Sequence, residues 1–238
     1  MYFSSRSQAL ELMDDPNLKK EALVKAYQDI NRCNTLLGGT AITTSIVQKL
    51  IKKHPKKSYT IYDVGCGDGH MLRKIASLYN GESITLNLVG IDIREDVLAI
   101  ARKASSSFGN ITYTNQNVLA LEDDQQCDIL LCTLTLHHFP EKDLKTILSQ
   151  FERLARIGVV INDLERSKLA YVLFRLFSIF FIRTKIAKID GLISIRKGFI
   201  KKDLINLSKS LKRLRHHIQW KWAFRYVWVM ESTKGSSA

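Results

Sequence analysis

Between residues 59 and 162, short apolar runs alternate with segments in which apolar residues recur at helical spacing. Strands are predicted at 59–64, 86–93, 111–114, 127–134 and 157–162, and helices at 71–79, at 97–104 and after Pro140. Pro140 is expected in the first turn of its helix, where the missing N–H costs nothing. Strands that alternate with helices form parallel βαβ units, and mostly apolar strands suit a sheet covered on both faces. The pattern therefore predicts an α/β protein.

Segments of different character flank this core. Amphipathic helices are predicted at 18–36 and, after a Gly-Gly turn, at 42–51. After the core come an apolar helix at 167–182, a helix at 201–214 and an aromatic-rich strand or hairpin at 216–230, and we expect 234–238 to fray. No repeat or linker-like segment is visible, so we predict one domain, 1–238. Its parts are an N-terminal helical cap (1–57), the core (58–165), a helical insertion capping the substrate (166–200), and a C-terminal helix with closing strands (201–238).

The apolar helix at 167–182 contains the run LAYVLFRLFSIFFI, which only Arg175 and Ser178 interrupt. A transmembrane span needs ~20 apolar residues, and this run is shorter. We therefore expect a buried or cavity-lining helix.

Composition excludes several classes of protein. Hydrophobic residues make up 45% of the chain and charged residues 25%, as in globular proteins. The four cysteines, at 33, 66, 127 and 132, form neither a CxxC pair nor a zinc pattern, which argues against a disulfide scaffold and for a reducing compartment. The first residues have no apolar core and carry acids early, unlike a signal peptide. We expect a cytoplasmic protein.

Charge is distributed unevenly along the chain. Residues 1–165 hold 19 basic and 20 acidic side chains, whereas residues 166–238 hold 17 basic and 3 acidic ones. A basic segment suits an acidic partner, and it also suits a solvated face that keeps the protein soluble. We expect the partner, if there is one, to be an anionic membrane surface or an acidic carrier protein, with nucleic acid less favoured.

A glycine-rich turn, Asp63-Val64-Gly65-Cys66-Gly67-Asp68-Gly69, follows the first predicted strand. Glycines allow a tight turn and a close approach of a ligand, and the free N–H groups of the next helix face the same place. The second strand ends in Asp92, 23 residues beyond Gly69, near the spacing of an acid that binds ribose hydroxyls. A nicotinamide dinucleotide is disfavoured, because Asp68 would face its pyrophosphate.

The turn resembles the first motif of class I S-adenosylmethionine-dependent methyltransferases, and further pieces match in order over residues 59–165. Gly90–Ile93 resembles the ribose-binding strand end, and 116–118 the adenine-contacting turn, although many relatives have Asp where this chain has Asn117. Residues 127–139 resemble the fourth strand and the loop beneath the sulfonium. The resemblance implies a Rossmann-like, seven-stranded, mostly parallel sheet with helices on both faces, N-terminal helices and a helical insertion after strand five. It implies S-adenosylmethionine as cofactor, S-adenosylhomocysteine as product, and contacts from Asp63, Gly65, Cys66, Gly67, Asp92, Ile93, Asn117, Val118, Thr133 and Leu134.

Simpler roles compete at several of these positions. Gly69 can serve helix packing alone, and Asp63 can orient the turn rather than touch a ligand. Asp68 is typical of a helix start, where a carboxylate is favourable. Cys66 is expected to be a small turn residue without nucleophilic function.

The residues after strand four narrow the range of possible methyl acceptors. The segment 133–139, TLTLHHF, lacks the Asn/Asp-Pro-Pro-aromatic motif of base amino-methyltransferases, and no Pro-Cys nucleophile is present. Strand four ends without a carboxylate, and Asn162-Asp163 alone would make a poor magnesium site, so we predict that no metal takes part. His137 and His138 are candidate bases for an acceptor proton. Both can equally be structural loop residues.

Residues 162–167, the apolar helix, Asp190-Gly191 and 194–196 resemble bacterial small-molecule methyltransferases related to quinone-pathway and polyketide-associated enzymes. In such enzymes the insertion and the N-terminal helices roof the acceptor pocket. The resemblance implies an aromatic pocket lining from Phe174, Phe177 and Phe181, with Phe180 beside them. Alternatively these rings pack against Leu23, Tyr27 and Ile30 as ordinary core.

Three functions remain open. The first is metal-free O- or C-methylation of a hydrophobic acceptor, phenolic, quinone-like or polyketide-type, as in secondary metabolism. The second is methylation of RNA or protein held by the basic C-terminal third, although no RNA-binding module is recognisable. The third is a non-catalytic cofactor-binding subunit.

Overall fold

The computed structural model describes residues 3–122 and 125–232, and the predicted frayed tail at 234–238 lies outside the described residues. Within them the chain forms one seven-stranded sheet, with strands β1 (Ser58–Val64), β2 (Thr85–Asp92), β3 (Ile111–Asn115), β4 (Cys127–Thr133), β5 (Ala155–Leu164), β6 (Leu214–Lys221) and β7 (Arg225–Ser232). The helices are α1 (Lys20–Leu36), α2 (Gly39–Lys53), α3 (His70–Leu78), α4 (Glu95–Ala104), α5 (Leu144–Leu154), α6 (Lys168–Phe181), α7 (Lys185–Lys197) and α8 (Lys201–Ser208).

The strand order is β3-β2-β1-β4-β5-β7-β6. Strands β1 to β5 run parallel, and β7 pairs antiparallel with both β5 and β6. The order reverses between β1 and β4, and in open α/β sheets ligands bind at such a switch point, beyond the carboxyl ends of the strands. The topology therefore predicts a ligand site at the carboxyl ends of β1, β2 and β4.

Two hydrophobic clusters cover the two faces of the sheet, as the apolar strands predict. One face packs on α5 and α8 around Phe151 and Trp228. The other packs on α2 and α3 around Tyr59 and Leu72. The predicted strands and helices of the core are found within a few residues of their expected positions, because alternating strand and helix periods are the signals that burial imposes.

Two predicted helix boundaries are wrong. Pro140 does not open α5: its carbonyl accepts a hydrogen bond from the N–H of Asp143 in a turn, and the helix begins at Leu144, the first apolar residue that reaches the core. The helix predicted at 201–214 ends at Ser208, because the chain turns back and Leu214 already pairs with Ser232 in the sheet.

The helix predicted at 167–182 exists as α6, but most of it is not buried. Only Ala170 and Ser178 are buried, whereas Ile179 is 60% exposed and Phe180 is 80% exposed. No helix among the described residues is long and apolar enough to cross a membrane.

The insertion that carries α6 and α7 leaves and rejoins the sheet at one place. The N–H of Phe199 donates to the carbonyl of Leu164, the N–H of Arg166 donates to the carbonyl of Phe199, and Glu165 forms an isolated parallel bridge with Phe199. From there α7 contacts α1 as well as α6, so a helix from the N-terminal part of the chain packs against the insertion.

Candidate functional site

The glycine-rich turn connects β1 to α3 in a conformation that requires glycine. Gly65, Gly67 and Gly69 have φ values of 67°, 54° and 75°, the left-handed region that L side chains rarely adopt. A Cβ atom on Gly69 would also lie 1.9 Å from the hydroxyl oxygen of Tyr113, so packing excludes a side chain there as well. Asp68 acts as a helix-start acid, since its Oδ1 accepts from the N–H of His70 at 3.2 Å.

Beyond the turn lies a cavity of about 300 Å³, here called the first cavity. It lies at the switch point between β1 and β4, as the topology predicts. All ten predicted cofactor-contacting residues line it: Asp63, Gly65, Cys66, Gly67, Asp92, Ile93, Asn117, Val118, Thr133 and Leu134. Residues from four separate strand ends are thus brought to one place.

Four carboxyl groups line the first cavity, namely those of Glu11, Asp63, Asp68 and Asp92. Burial, together with the neighbouring charges of Asp92 and Asp68, raises the pKa of Asp63 to about 8. Burial also raises the pKa of Asp92, although the carboxylate accepts hydrogen bonds from the N–H groups of Arg94 and Gly67, each at 3.1 Å. No cation is among the groups that shift the pKa of Asp63, so this part of the cavity suits a positively charged group of a ligand.

Other predicted contacts have additional local roles. The Asn117 side chain accepts from the N–H of Leu119 at 3.0 Å and so caps a short 3-10 turn at the rim. Burial raises the pKa of the Cys66 thiol well above its usual value, in agreement with a non-nucleophilic turn residue. The hydroxyl of Thr135 donates to the carbonyl of Gly65 at 3.1 Å and ties the loop after β4 to the glycine-rich turn.

A second cavity, of about 320 Å³, adjoins the first. Five residues line both, namely Glu11, Ile30, Asn34, Leu134 and His138. Its walls are mostly apolar, with Leu173, Phe174 and Phe177 from α6, and Trp222 and Phe224 from the turn between β6 and β7. The two cavities therefore share a wall at the end of β4, where a group in one can face a group in the other.

The aromatic residues of α6 divide between two environments. Phe174 and Phe177 line the second cavity as predicted, rather than joining the core cluster on α1. Phe181 does not line the second cavity: its ring stacks on Phe177 at 4.5 Å between centroids. Phe180 faces solvent, because two steps along a helix lead to nearly the opposite side and Ser178 is buried.

His137 is locked in place by Asp163. Its Nδ1 lies 2.6 Å from Asp163 Oδ1, and its backbone N–H donates to Oδ2 at 3.0 Å. Burial disfavours the charged imidazole, but the charge and hydrogen bond of Asp163 outweigh it and raise the pKa of His137. The Nε2 atom is buried without a hydrogen-bond partner among the described residues.

His138 faces both cavities. Its ring lies 4.3 Å from that of His137, and its Nε2 is 3.7 Å from Glu11 Oε2. Burial, and next the charge of His137, lowers the pKa of His138 to about 4. At neutral pH this imidazole is therefore uncharged, and one of its ring nitrogens is unprotonated at the boundary of the two cavities.

The N-terminal segment contributes two residues that sequence reasoning missed. Glu11 is buried, lines both cavities, and lies 3.2 Å from Lys197 Nζ. Arg6 donates from Nη2 to the carbonyls of His137 at 2.7 Å and Phe139 at 3.1 Å. Their partners lie far away along the chain, and the segment has no periodicity, so no local signal marks either residue.

A buried cation also lines the second cavity. Arg225 donates from Nη1 to the side-chain oxygens of Asn34 at 3.0 Å and Asn162 at 3.4 Å. Its Nε has no hydrogen-bond partner among the described residues, and no carboxylate of theirs forms an ion pair with it. The second cavity is therefore mostly apolar, and its wall also contains the cation of Arg225, the neutral imidazole of His138 and the carboxyl groups of Glu11 and Asp190.

Glu11, His137 and His138 are the described residues that come nearest to a metal site, with one potential ligand atom each within 4.8 Å of one another. The ammonium of Lys197 beside Glu11 already offsets the charge that a divalent ion would need. The Asn162-Asp163 pair is also engaged, with Asn162 donating to Gly39 and Thr43 and Asp163 holding His137. The absence of a metal stays a prediction.

Comparison with known proteins finds methyltransferases similar to this chain. Residues 61–158 match the family model described as a methyltransferase domain. The chain is 32% identical over 121 residues to a ubiquinone biosynthesis O-methyltransferase of Hydrogenovibrio crunogenus, covering 48% of this chain and 46% of that protein. It is 28% identical over 141 residues to the ribosomal protein L11 methyltransferase of Aquifex aeolicus, covering 58% and 51%. The chain thus matches about half the length of these curated relatives.

Solved structures resemble almost the whole chain. The plantazolicin methyltransferase BpumL, in complex with S-adenosylhomocysteine, has a TM-score of 0.67 at 14% identity and covers 92% of this chain and 91% of its own. Magnesium protoporphyrin IX methyltransferase from Synechocystis PCC 6803, with the same ligand bound, has a TM-score of 0.57 at 16% identity and covers 82% and 84%. These likenesses confirm the predicted fold, and the matches together confirm the resemblance on which the site was predicted.

Proposed function

We propose that this chain, whose fold is that of class I methyltransferases, transfers the methyl group of S-adenosylmethionine to a hydrophobic small molecule. The observation that carries the proposal is the pair of adjoining cavities: one lined by several carboxyl groups, the other mostly apolar, with a neutral histidine at the boundary. A cationic methyl donor fits the first cavity, and an apolar acceptor fits the second.

The residues of the first cavity fit the donor. Asp63 would pair with its ammonium group, which supplies the cation that this buried carboxylate lacks. Asp92 would accept from the ribose hydroxyls with the lone pairs that Gly67 and Arg94 leave free. Asn117, Ile93 and Val118 would contact the adenine. When bound, the donor supplies an electrophilic methyl group on a positively charged sulfur.

The chain's contribution to the reaction is positioning and proton removal. An in-line displacement needs the acceptor atom held against the methyl group, which the shared wall at Leu134 and His138 permits. As the acceptor oxygen or carbon gains the methyl group, its proton would pass to the neutral His138, and the sulfur leaves as an uncharged thioether. Glu11, close to His138, would stabilise the imidazolium that forms. His137 and Asp163 act as positioning residues.

The second cavity supports a particular kind of acceptor. Phe174, Phe177 and Trp222 suit a flat or extended apolar body, and Arg225 would stabilise negative charge on an acidic hydroxyl. A phenolic, quinone-like or polyketide-type acceptor of secondary metabolism has these properties, and O- or C-methylation without a metal is the reaction we infer. The similar proteins are named for ubiquinone biosynthesis, magnesium protoporphyrin IX and plantazolicin, which supports a small-molecule acceptor.

Calorimetry with S-adenosylhomocysteine and transfer of labelled methyl groups to a panel of phenols and quinols test the proposal. We expect His138→Gln to reduce kcat about 10²-fold or more, as for loss of a general base, with a much smaller change in product affinity. Leu78→Gln, on the exposed side of α3, is the control variant and should change neither value. A protein that binds no S-adenosylhomocysteine is not a methyltransferase, and one that binds it but methylates nothing is a cofactor-binding subunit.

Methylation of a protein or of RNA is a second candidate, favoured by the match to the L11 methyltransferase and by the basic C-terminal third. Against it, the second cavity is mostly apolar and holds about 320 Å³, which suits a small apolar acceptor better than a polar nucleotide or a charged side chain. A steep fall of RNA affinity with salt, or methyl transfer to ribosomal protein in preference to the small-molecule panel, would support this candidate instead.

A further inference from the structure

Helix α6 has two apolar faces, and one of them is exposed rather than packed against the rest of the protein. Ala170, Leu173, Phe174 and Phe177 line the second cavity. On the outer side, Leu169 and Val172 are more than half exposed, as are Leu176, Ile179 and Phe180. A soluble surface helix normally places polar residues on its outer side. An uncovered apolar stripe of this kind marks an interaction surface.

The charges beside this stripe all have one sign. From residue 167 to residue 189 the chain has five cations and no acidic residue. At 100° per residue, Lys168 and Arg175 fall along one border of the exposed stripe, and Arg183 and Lys185 follow its end. None of the five cations, which include Lys188, forms an ion pair with a described residue. Apolar residues beside unpaired cations match a surface that is both apolar and anionic.

The same surface contains the opening of the second cavity. Leu173 and Trp222 both line the cavity and are exposed, Leu173 by 40% and Trp222 by 63%. Residues that are at once lining and exposed mark where the cavity meets the outside. Tryptophan is also enriched where apolar and aqueous phases meet, because its ring is apolar and its N–H is polar.

We propose that the outer face of α6, with Trp222, docks on an anionic lipid bilayer, so that the second cavity opens toward the membrane interface. The helix lies in the plane of the interface and its apolar side chains enter the headgroup boundary, while the cations contact acidic headgroups. An apolar acceptor dissolved in the membrane then reaches the cavity without crossing water. This last step rests on the proposed function, whereas the docking itself does not.

A second copy of this chain fits the outer face of α6 less well than an anionic membrane does. In a two-fold interface the same patch lies on both sides, so Lys168, Arg175 and Arg183 of one copy would face their equivalents. With no acidic side chain between residues 167 and 189, such an interface would bring like charges together in an apolar setting. An anionic membrane removes this repulsion.

Co-sedimentation of the full chain with vesicles tests the docking. We expect binding to phosphatidylcholine vesicles that contain phosphatidylglycerol, little binding to phosphatidylcholine alone, and weaker binding at high salt. The Ile179→Ser/Phe180→Ser variant should lose most of the binding, and its matched control is Leu78→Ser/Ile205→Ser, which removes two exposed apolar side chains from α3 and α8. Arg175→Gln/Arg183→Gln should weaken partitioning about fivefold for each cation removed, compared with Lys103→Gln/Lys145→Gln.

S-adenosylhomocysteine affinity is measured on every variant and is expected to stay unchanged, because none of the altered residues lines the first cavity. This readout separates the docking from the proposed function, since either can fail while the other holds. Equal loss of vesicle binding in the α6 variant and its control would overturn the proposal, as would no binding to anionic vesicles at low salt. A dimer dissociated by Ile179→Ser/Phe180→Ser, or capture of an acidic carrier protein in preference to vesicles, would assign the face to that occupant and also overturn it.

Discussion

Asp63 is the residue whose ionisation should report most directly on an occupied first cavity. Its pKa of about 8 in the free protein leaves the carboxyl largely protonated at neutral pH, and a bound ammonium group should lower that pKa. Binding of S-adenosylhomocysteine should therefore release a proton near pH 7, and affinity should rise as the pH increases toward the pKa of Asp63. Calorimetry in buffers of different ionisation enthalpy measures the released proton, and an Asp63→Asn variant should release none from this site.

The same residue should affect stability with the opposite sign. Because the pKa of Asp63 is raised in the folded protein, its contribution to folding is fully present below its ordinary value of 3.8 and is lost as the pH rises toward about 8. Asp63→Asn should accordingly raise the melting temperature of the ligand-free protein more at about pH 8 than at about pH 5. Identical shifts at both pH values would show that the carboxyl is not protonated as inferred.

The carboxylate of Asp92 has one role in the turn and a second one in the proposed complex. It accepts the N–H of Gly67 and, in the proposed complex, the ribose hydroxyls. Asp92→Ala should weaken S-adenosylhomocysteine binding by on the order of 1.5–3 kcal/mol, the range for a hydrogen bond to a charged group. Asp92→Asn, which keeps an acceptor for Gly67, separates ribose binding from support of the turn. Unchanged affinity in the Ala variant would remove Asp92 from the ribose site.

At the scale of elements, the N-terminal segment, here called the strap, connects the loop after β4 to the end of α7. Arg6 donates to carbonyls of the loop after β4 and, at 2.8 Å from Nε, to the carbonyl of Lys197 at the end of α7. Arg6→Met should lower the free energy of unfolding by about 1–3 kcal/mol, the cost of leaving part-buried acceptors unpaired. Urea unfolding measures this loss, with Lys25→Met on the exposed side of α1 as the control. Equal values for the two variants would mean that the strap adds no stability.

The elements also show what a sequence can predict. Strands β1 to β5 and the helices between them were predictable, because burial on a sheet imposes periods of two and of 3.6 residues that are visible locally. The ten residues around the first cavity were predicted from the resemblance to class I S-adenosylmethionine-dependent methyltransferases, which assigns contacts to the glycine-rich turn and to strand ends. Glu11 and Arg6 were not, since their roles depend on partners far away along the chain. The composition of α6 predicts a buried or cavity-lining helix, and only its inner face fits, because its outer face is exposed.

At the scale of the whole molecule, the candidate metal ligands among the residues that the structure describes already have other partners. Asp163 is engaged by His137 and Glu11 lies beside the Lys197 ammonium. Methyl transfer should therefore be unchanged after treatment with a chelator and should not respond to added magnesium. Activity that is lost in chelator and restored by a divalent ion would assign the Glu11, His137 and His138 group to metal binding.

The insertion after β5 begins and ends at neighbouring points of the sheet, where Leu164 and Arg166 pair with Phe199. A segment with adjacent ends can change in length without displacing the strands on either side, because loop closure costs little more for a longer loop. The part of the second cavity's wall that the insertion supplies can thus diverge between related proteins, or be exchanged as one segment. The first cavity, built from strand ends on the other side of this junction, would keep its shape.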